Sequence, residues 1–346
     1  MRYISIRFLS IKAASLHRDD VVVTSRVQLS CKEQRMDVVA VINYKGGVGK
    51  TTVTSNIAAE LAFKGKKVLL LDTDAQASLT FSFVQPDVWD EKYKESLTIK
   101  SWFDAISQGK EPPPLNKFII SPPHVNAYLK RARSTGQIDL ICSHLGLINV
   151  DLELATLLGG ANLQQSKLNY IKVHGKLRDA IERLERESDY DVLLIDCPPN
   201  FNIVTKNAIV ASQKILIPAK PDYLSTLGID YLRQSVDQLV REFNEYANMD
   251  AKVGNISPEI LGVVFTMIQI TSGMPISAQR QYIAQTKRSG IFTYEKFFRE
   301  NKTMFASAPE SLIPAVLQYH SAGTYANIVE ELGQFVEEFE GTLEEV

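Results

Sequence analysis

From Asp37 onward the chain alternates short, unbroken apolar runs with longer stretches in which apolar residues recur every three or four positions. The runs centre on Val38 to Ile42, Lys67 to Leu71, Ile138 to Ile141, Val192 to Ile195, Ile215 to Ile217 and Ile260 to Phe265. Apolar runs of this length predict strands buried on both faces of a parallel sheet. Between them, residues 50–64 carry Val53, Ile57, Leu61 and Ala62 at helical spacing, and Gly65 closes the segment. The same period predicts helices over 165–187, 226–246 and 323–340. Strands and helices in alternation make an α/β fold, a mostly parallel sheet covered by helices on both faces. Residues 84–136 break the rhythm with Pro86, Pro112 to Pro114 and Pro122-Pro123. They are expected as an irregular surface insertion within one domain spanning 36–346.

The first 35 residues do not share this pattern. Arg2, Arg7, Lys12 and Arg18 occur without an acidic residue up to position 18. Arg7 and Lys12 interrupt any apolar signal-peptide core, and the composition imitates an Arg- and Ser-containing transit peptide. The alternative is an extension outside the fold ahead of Met36, where the first strand is about to begin.

Composition narrows the classes. Of 346 residues, 45% are hydrophobic and 23% charged, and the formal net charge is −2. That excludes a disordered chain and a globally basic nucleic-acid protein, and it requires any DNA contact to be a local basic patch. No stretch approaches the apolar length of a membrane span. Cys31, Cys142 and Cys197 form no Cys-x-x-Cys pair, which speaks against zinc ribbons, redox pairs and disulfide frameworks. The five histidines are scattered without metal spacing.

The segment Tyr44-Lys45-Gly46-Gly47-Val48-Gly49-Lys50-Thr51-Thr52 joins the first strand to the first helix. This is the setting a phosphate loop requires, and it predicts a P-loop NTPase. The glycines allow a tight turn whose backbone N–H groups, with the helix N-terminus, suit polyphosphate. Lys50 is expected at the β- and γ-phosphates, and Thr51 at Mg²⁺ through its hydroxyl. Gly46, Gly47, Val48, Gly49 and Thr52 complete the nucleotide cradle.

Tyr44 stands where the common motif has its first glycine, and an extra lysine, Lys45, follows it. This resembles the deviant Walker A box of the ParA/MinD family. The resemblance implies that Lys45 crosses a dimer interface to the partner's nucleotide and stabilises charge there. Asp72-Thr73-Asp74-Ala75-Gln76 resembles the family's second box, with Ala75 where proline is common. By that resemblance Asp74 helps position the attacking water and Asp72 lies in the outer shell of the metal, although two carboxylates after a strand also suit a helix cap. Asp196-Cys197-Pro198-Pro199 resembles the Walker B strand end, with Asp196 holding the Mg²⁺ shell. Asn207, Pro218 and Asp222 match family positions near the adenine. Pro218 and Pro221 equally suit the plain shaping of a loop after a strand.

The resemblance covers about Met36 to Phe339 and is closest to the compact, DNA-partitioning members. Cluster-binding cysteines of nitrogenase-iron-protein relatives are missing. The C-terminal stretch is rich in glutamate, from Glu330 to Glu345, and lacks the basic amphipathic helix of MinD-type membrane binders. The family pattern implies an ATPase that is slow until a ParB-like partner stimulates it. It implies ATP and Mg²⁺ as cofactors, an ATP-held homodimer, non-specific DNA binding, and a cytoplasmic, nucleoid-associated location. Arg280, Lys287, Arg288 and Arg299 lie in the densest basic stretch after the nucleotide boxes and are the expected DNA contacts, although an ordinary solvated face has the same composition. The competing function is a related switch that positions a protein assembly or membrane-associated cargo.

Overall fold

The computed structural model describes residues 35–344. The expectation for the extension therefore falls almost wholly on residues 1–34, outside the described part. Six strands form one parallel sheet: β1 (Asp37–Val41), β2 (Lys67–Asp72), β3 (Gln137–Ile141), β4 (Val192–Asp196), β5 (Lys214–Ala219) and β6 (Glu259–Phe265). Their spatial order is β3-β2-β4-β1-β5-β6, with every neighbouring pair parallel. All six match the apolar runs to within a residue or two. The alternation of a strand is visible in β1, where Val38 and Ala40 belong to one core cluster and Val39 and Val41 to the other.

Among the described residues, twelve α-helices surround the sheet: α1 (Lys50–Phe63), α2 (Ser78–Phe83), α3 (Pro86–Lys92), α4 (Ile99–Ser107), α5 (Pro123–Arg131), α6 (Leu147–Ala155), α7 (Leu163–Glu187), α8 (Ile203–Ala211), α9 (Tyr223–Ala247), α10 (Ser277–Arg288), α11 (Lys302–Ser311) and α12 (Thr324–Glu344). One core layer is built by α4, α6, α7, α8 and α9, the other by α1, α2, α5 and α12. None of the described helices is long and apolar enough to cross a membrane.

Segment 84–136 is more ordered than its prolines suggested. It holds α3, α4, α5 and a short 3-10 turn at Leu115–Phe118. Its prolines sit where helices tolerate them, at the first turns of α3 and α5. Trp102 and Phe103 are buried in one layer, and Trp89 and Leu129 in the other. Bridges Thr98–Cys142 and Ile120–Leu140 attach the segment along β3, the outer strand of the sheet. The segment thus covers an edge that would otherwise expose unpaired backbone.

Candidate phosphate-binding site

The parallel register brings the carboxyl ends of the central strands level. Asp72 at the end of β2 faces Asp196 at the end of β4, and Asp196 in turn faces Val41 of β1. The loop after β1 rises beside them. Gly47 and Gly49 adopt φ of 69° and 81°, left-handed values that cost a residue with a Cβ. Gly49 stands at the N-cap of α1, which has no side-chain cap. The first N–H groups of that helix are therefore left for a ligand.

The loop is braced from β5 and β6. Asn43 Nδ2 donates to the Pro218 carbonyl at 2.7 Å, and Asn43 Oδ1 accepts from the Lys45 N–H at 2.9 Å. Thr266, just past β6, donates to the Val48 carbonyl at 2.8 Å. A cavity of about 470 Å³ opens over the loop, lined by Gly46, Gly47, Gly49, Lys50, Thr51 and Thr52 together with Asp74 and Pro199 among others.

Two expected metal and phosphate groups meet here. Thr51 Oγ1 donates to Asp196 Oδ2 at 2.7 Å. The other oxygen, Asp196 Oδ1, is buried and has no hydrogen-bond partner. An orphaned carboxylate oxygen beside a threonine hydroxyl fits a hard divalent cation that takes oxygen ligands. Among the described residues no group of three or more His, Cys, Asp or Glu side chains gathers as a metal cage. A cation held by Thr51 and Asp196 would therefore complete its shell with water and ligand oxygens.

The charges are strained by burial. Desolvation pushes the Asp196 carboxyl up, against the Thr51 hydrogen bond and the nearby Lys50 ammonium. Desolvation also pushes Asp72 up, and the Asp196 charge adds to it. Lys50 is lowered by burial, opposed by the Asp196 and Asp74 charges. Placing polyphosphate and a divalent cation in the cavity supplies counter-charges to Lys50 and Asp196.

Some sequence-based expectations find a different geometry. Asp72 is fully buried, and both its oxygens are engaged: Thr80 donates to Oδ2 through N and Oγ1 at 2.8 Å each, and the Asp74 N–H donates to Oδ1 at 3.1 Å. It ties the first turn of α2, the capping use of a carboxylate, instead of facing the cavity as an outer-shell group. Asn207 has no exposed surface and donates to the Ile203 carbonyl inside α8, so it cannot reach a base. Pro218 is buried within β5 and offers only its carbonyl to Asn43. Asp222 caps α9 by accepting from the Ser225 N–H at 2.9 Å and holds Lys45, and it lines neither of the two cavities at the phosphate loop. Arg299 is paired with Glu331 of α12 and is not a free surface cation.

Sequence reading missed the wall beyond the phosphate loop. A second cavity of about 170 Å³ adjoins Gly49 and Thr52 and is walled by Met267, Phe298 and Phe305 with residues 299–302. Gly262 makes this approach possible. At its φ of 149°, a Cβ would lie 2.8 Å from the Phe292 carbonyl oxygen, so only glycine lets segment 291–299 close on β6. A lone glycine inside a strand was the available signal.

Comparison with known proteins places this geometry in context. A family model described as an AAA domain matches residues 36–249. The chain is 28% identical to the chromosome partitioning protein ParA of Caulobacter vibrioides over 232 residues, covering 66% of this chain and 69% of that protein. It is 25% identical to the sporulation initiation inhibitor protein Soj of Bacillus subtilis over 300 residues, covering 85% of this chain and 97% of that one. Among solved structures, an ATP complex of a McdA variant from Cyanothece superposes with a TM-score of 0.60 at 19% identity, covering 89% of this chain and 97% of that chain.

Proposed function

The chain belongs to the AAA-domain family, and from that premise and its likeness to ParA and Soj we propose that it is a ParA/MinD-type ATPase that binds ATP with Mg²⁺, dimerises on it, and positions a DNA cargo by partner-stimulated hydrolysis. The observation that carries this reading is the pairing of Thr51 with Asp196 under the glycine loop, with one Asp196 oxygen left free. A phosphate loop alone binds polyphosphate, whereas this arrangement also reserves a place for the cation that hydrolysis requires.

The roles follow from position. Lys50 and the loop N–H groups hold the β- and γ-phosphates. Thr51 and Asp196 hold Mg²⁺, which when bound neutralises charge on the phosphate oxygens. Asp74, which lines the same cavity as the glycine loop, orients the attacking water. Its side chain is partly exposed, whereas Asp72 is sealed. The base is assigned to the 170 Å³ cavity, against Met267, Phe298 and Phe305, in place of Asn207 and Pro218. Lys45 reaches the partner's nucleotide across an ATP-held dimer, and a ParB-like protein stimulates release.

The test is ATP binding and turnover in Asp74→Ala. Intact Mg²⁺-dependent ATP binding with turnover lost supports the reading. Turnover equal to that of the parent would refute the role of Asp74. A chain that binds no ATP would overturn the whole proposal.

One observation favours the second reading, a switch for a protein assembly. Arg299 is spent on Glu331, and Lys287 pairs with Glu295 at 2.6 Å. The basic stretch is thinner in space than in sequence. ATP-dependent retention on DNA separates the two readings.

A further inference from the structure

We propose that Ser143 is a positioning residue for Asp74, acting through the main chain of the turn that carries it. The inference rests on the assignment of Asp74 to the attacking water. It starts from a bond between two segments far apart in sequence. Ser143 Oγ donates to the Asp74 carbonyl at 2.6 Å, and Ser143 is fully buried.

The main chain of the turn after β2 is fixed at several points, and the Gln76 N–H adds a bond to Asp74 Oδ1. Thr73 donates to the Asp196 carbonyl through both N and Oγ1, at 3.0 and 2.8 Å. The Asp74 N–H donates to Asp72 Oδ1. The Asp74 carbonyl then accepts from the Ala77 N–H, which closes the turn, and from Ser143. The first two fixings lie inside the strand ends. The third comes from outside, from the loop after β3.

That loop is itself tied in. The Ser143 N–H donates to Thr80 Oγ1 at 2.9 Å, and Thr80 Oγ1 donates to Asp72 Oδ2 at 2.8 Å. The Ser143 carbonyl accepts from Trp89 Nε1 at 3.1 Å. All three polar groups of Ser143 are therefore used, each on a different neighbour. A buried hydroxyl with one donor and a fixed direction is a precise constraint on the carbonyl it meets. The Asp74 carboxylate lines the cavity and accepts from the Gln76 N–H at 2.9 Å through Oδ1, so the Ser143 hydroxyl acts on it through the main chain, by fixing the carbonyl of the residue that carries it.

Ser143 touches neither the phosphate loop nor the second cavity. Its loss should leave nucleotide binding in place and lower turnover. Displacement of a catalytic group by a fraction of an ångström to about 1 Å costs on the order of ten- to hundredfold in rate.

The experiment compares Ser143→Ala, Asp74→Ala and the double variant in full-length protein with Mg²⁺·ATP. Ser143→Ala should retain ATP affinity within about twofold while kcat falls about tenfold or more. In the Asp74→Ala background the serine change should cost nothing further, because the group it positions is gone. Ser143→Cys, which keeps a weak donor in nearly the same volume, should restore part of kcat and carries the same test were Ser143→Ala not to fold. Unchanged turnover in Ser143→Ala, or losses that add in the double variant, overturns the positioning role and leaves Asp74 as the water-orienting group. Full turnover in Asp74→Ala overturns both.

Discussion

Lys45 Nζ lies 2.9 and 2.7 Å from the two carboxylate oxygens of Asp222, a residue 177 positions further along the chain. The lysine expected to serve a partner's nucleotide is thus held within its own subunit. Ser225 Oγ, 3.3 Å away, completes the contact. Burial pushes the Asp222 carboxyl up, but hydrogen bonds from Lys45 and Ser225 outweigh it and hold it below its usual range. Just past Asp222, Tyr223, Leu224, Leu227 and Tyr231 form an exposed apolar run along α9. The Lys45–Asp222 pair and this exposed apolar run therefore lie at the same end of the same helix.

Asp222→Asn should make the ATP-loaded dimer form at lower protein concentration. Asparagine caps a helix as well as aspartate, so α9 keeps its start while the charge pair is lost. The pair is about one-third exposed on both sides. Its strength is then up to about 1 kcal/mol, which is about fivefold in dimerisation per chain. Light scattering across a concentration series measures it. Lys45→Ala should bind ATP like the parent and fail to dimerise, and equal dimerisation in that variant would remove the cross-interface role.

Lys50→Ala should abolish ATP binding without unfolding the chain. Lys50 is buried, and its nearest polar contact is the Asn43 carbonyl at 3.5 Å, a weak bond that leaves the ammonium ready for phosphate. Truncating one partner of a buried charge pair costs about 2–5 kcal/mol, or at least about thirtyfold in affinity. Titration calorimetry with Mg²⁺·ATP reads the loss, and retained micromolar binding would contradict it.

The strands and the parallel sheet were legible because six buried strands carry unbroken apolar runs and four long helices carry a clear period, whereas the spatial order of the strands was not. The segment 84–136 was not, because α3, α4 and α5 are each under ten residues and show too few turns for a period to register. The phosphate loop is local in sequence and could be read directly. Ser143 could not, since its meeting with Asp74 depends on β2 and β3 lying side by side with Leu71 level with Ile141. Asn207 illustrates the opposite error. Ile203, Val204, Asn207, Ala208 and Ala211 share a helical face, and that spacing alone turns Asn207 inward.

Acid should destabilise the protein through His174. Its ring is buried in α7 with Nδ1 2.9 Å from the Tyr170 carbonyl and Nε2 without a partner. Burial lowers it from 6.5 to about 4, the Tyr170 hydrogen bond opposes this, the Lys206 charge adds to the lowering, and Glu242 opposes it weakly. With a depressed folded value, the unfolded chain takes up the proton first, so stability is complete above about pH 6.5 and falls as pH drops toward 4, by up to about 3 kcal/mol. His144 shifts in the same direction and remains in the variant. The difference between the parent and His174→Leu in melting temperature from pH 7 to 4.5 isolates the buried ring. Parallel curves for the two proteins would disprove it.

The last prediction concerns DNA. Arg280, Lys287 and Arg288 lie on α10 and are exposed, while Arg299 is bonded to Glu331 and only 23% exposed in its side chain. The expected DNA contacts therefore shrink to the three residues of α10, of which Lys287 is paired with Glu295. One chain offers too few phosphate contacts for firm binding at physiological salt, and an ATP-held dimer doubles them. If each chain neutralises about three phosphates, log K should fall against log salt with a slope of about −5. Reversing Arg280, Lys287 and Arg288 to Glu should remove ATP-dependent retention on DNA of any sequence, since phosphate contacts carry no base information. Basal ATP turnover should stay nearly unchanged, because none of the three residues lines the cavity over the phosphate loop. Arg299→Ala should act differently. It leaves Glu331 without its partner and lowers the melting temperature, with the salt slope unaltered. Retention that ignores salt and survives the triple reversal would eliminate the DNA assignment and leave the positioning of a protein assembly as the function of the same ATPase cycle.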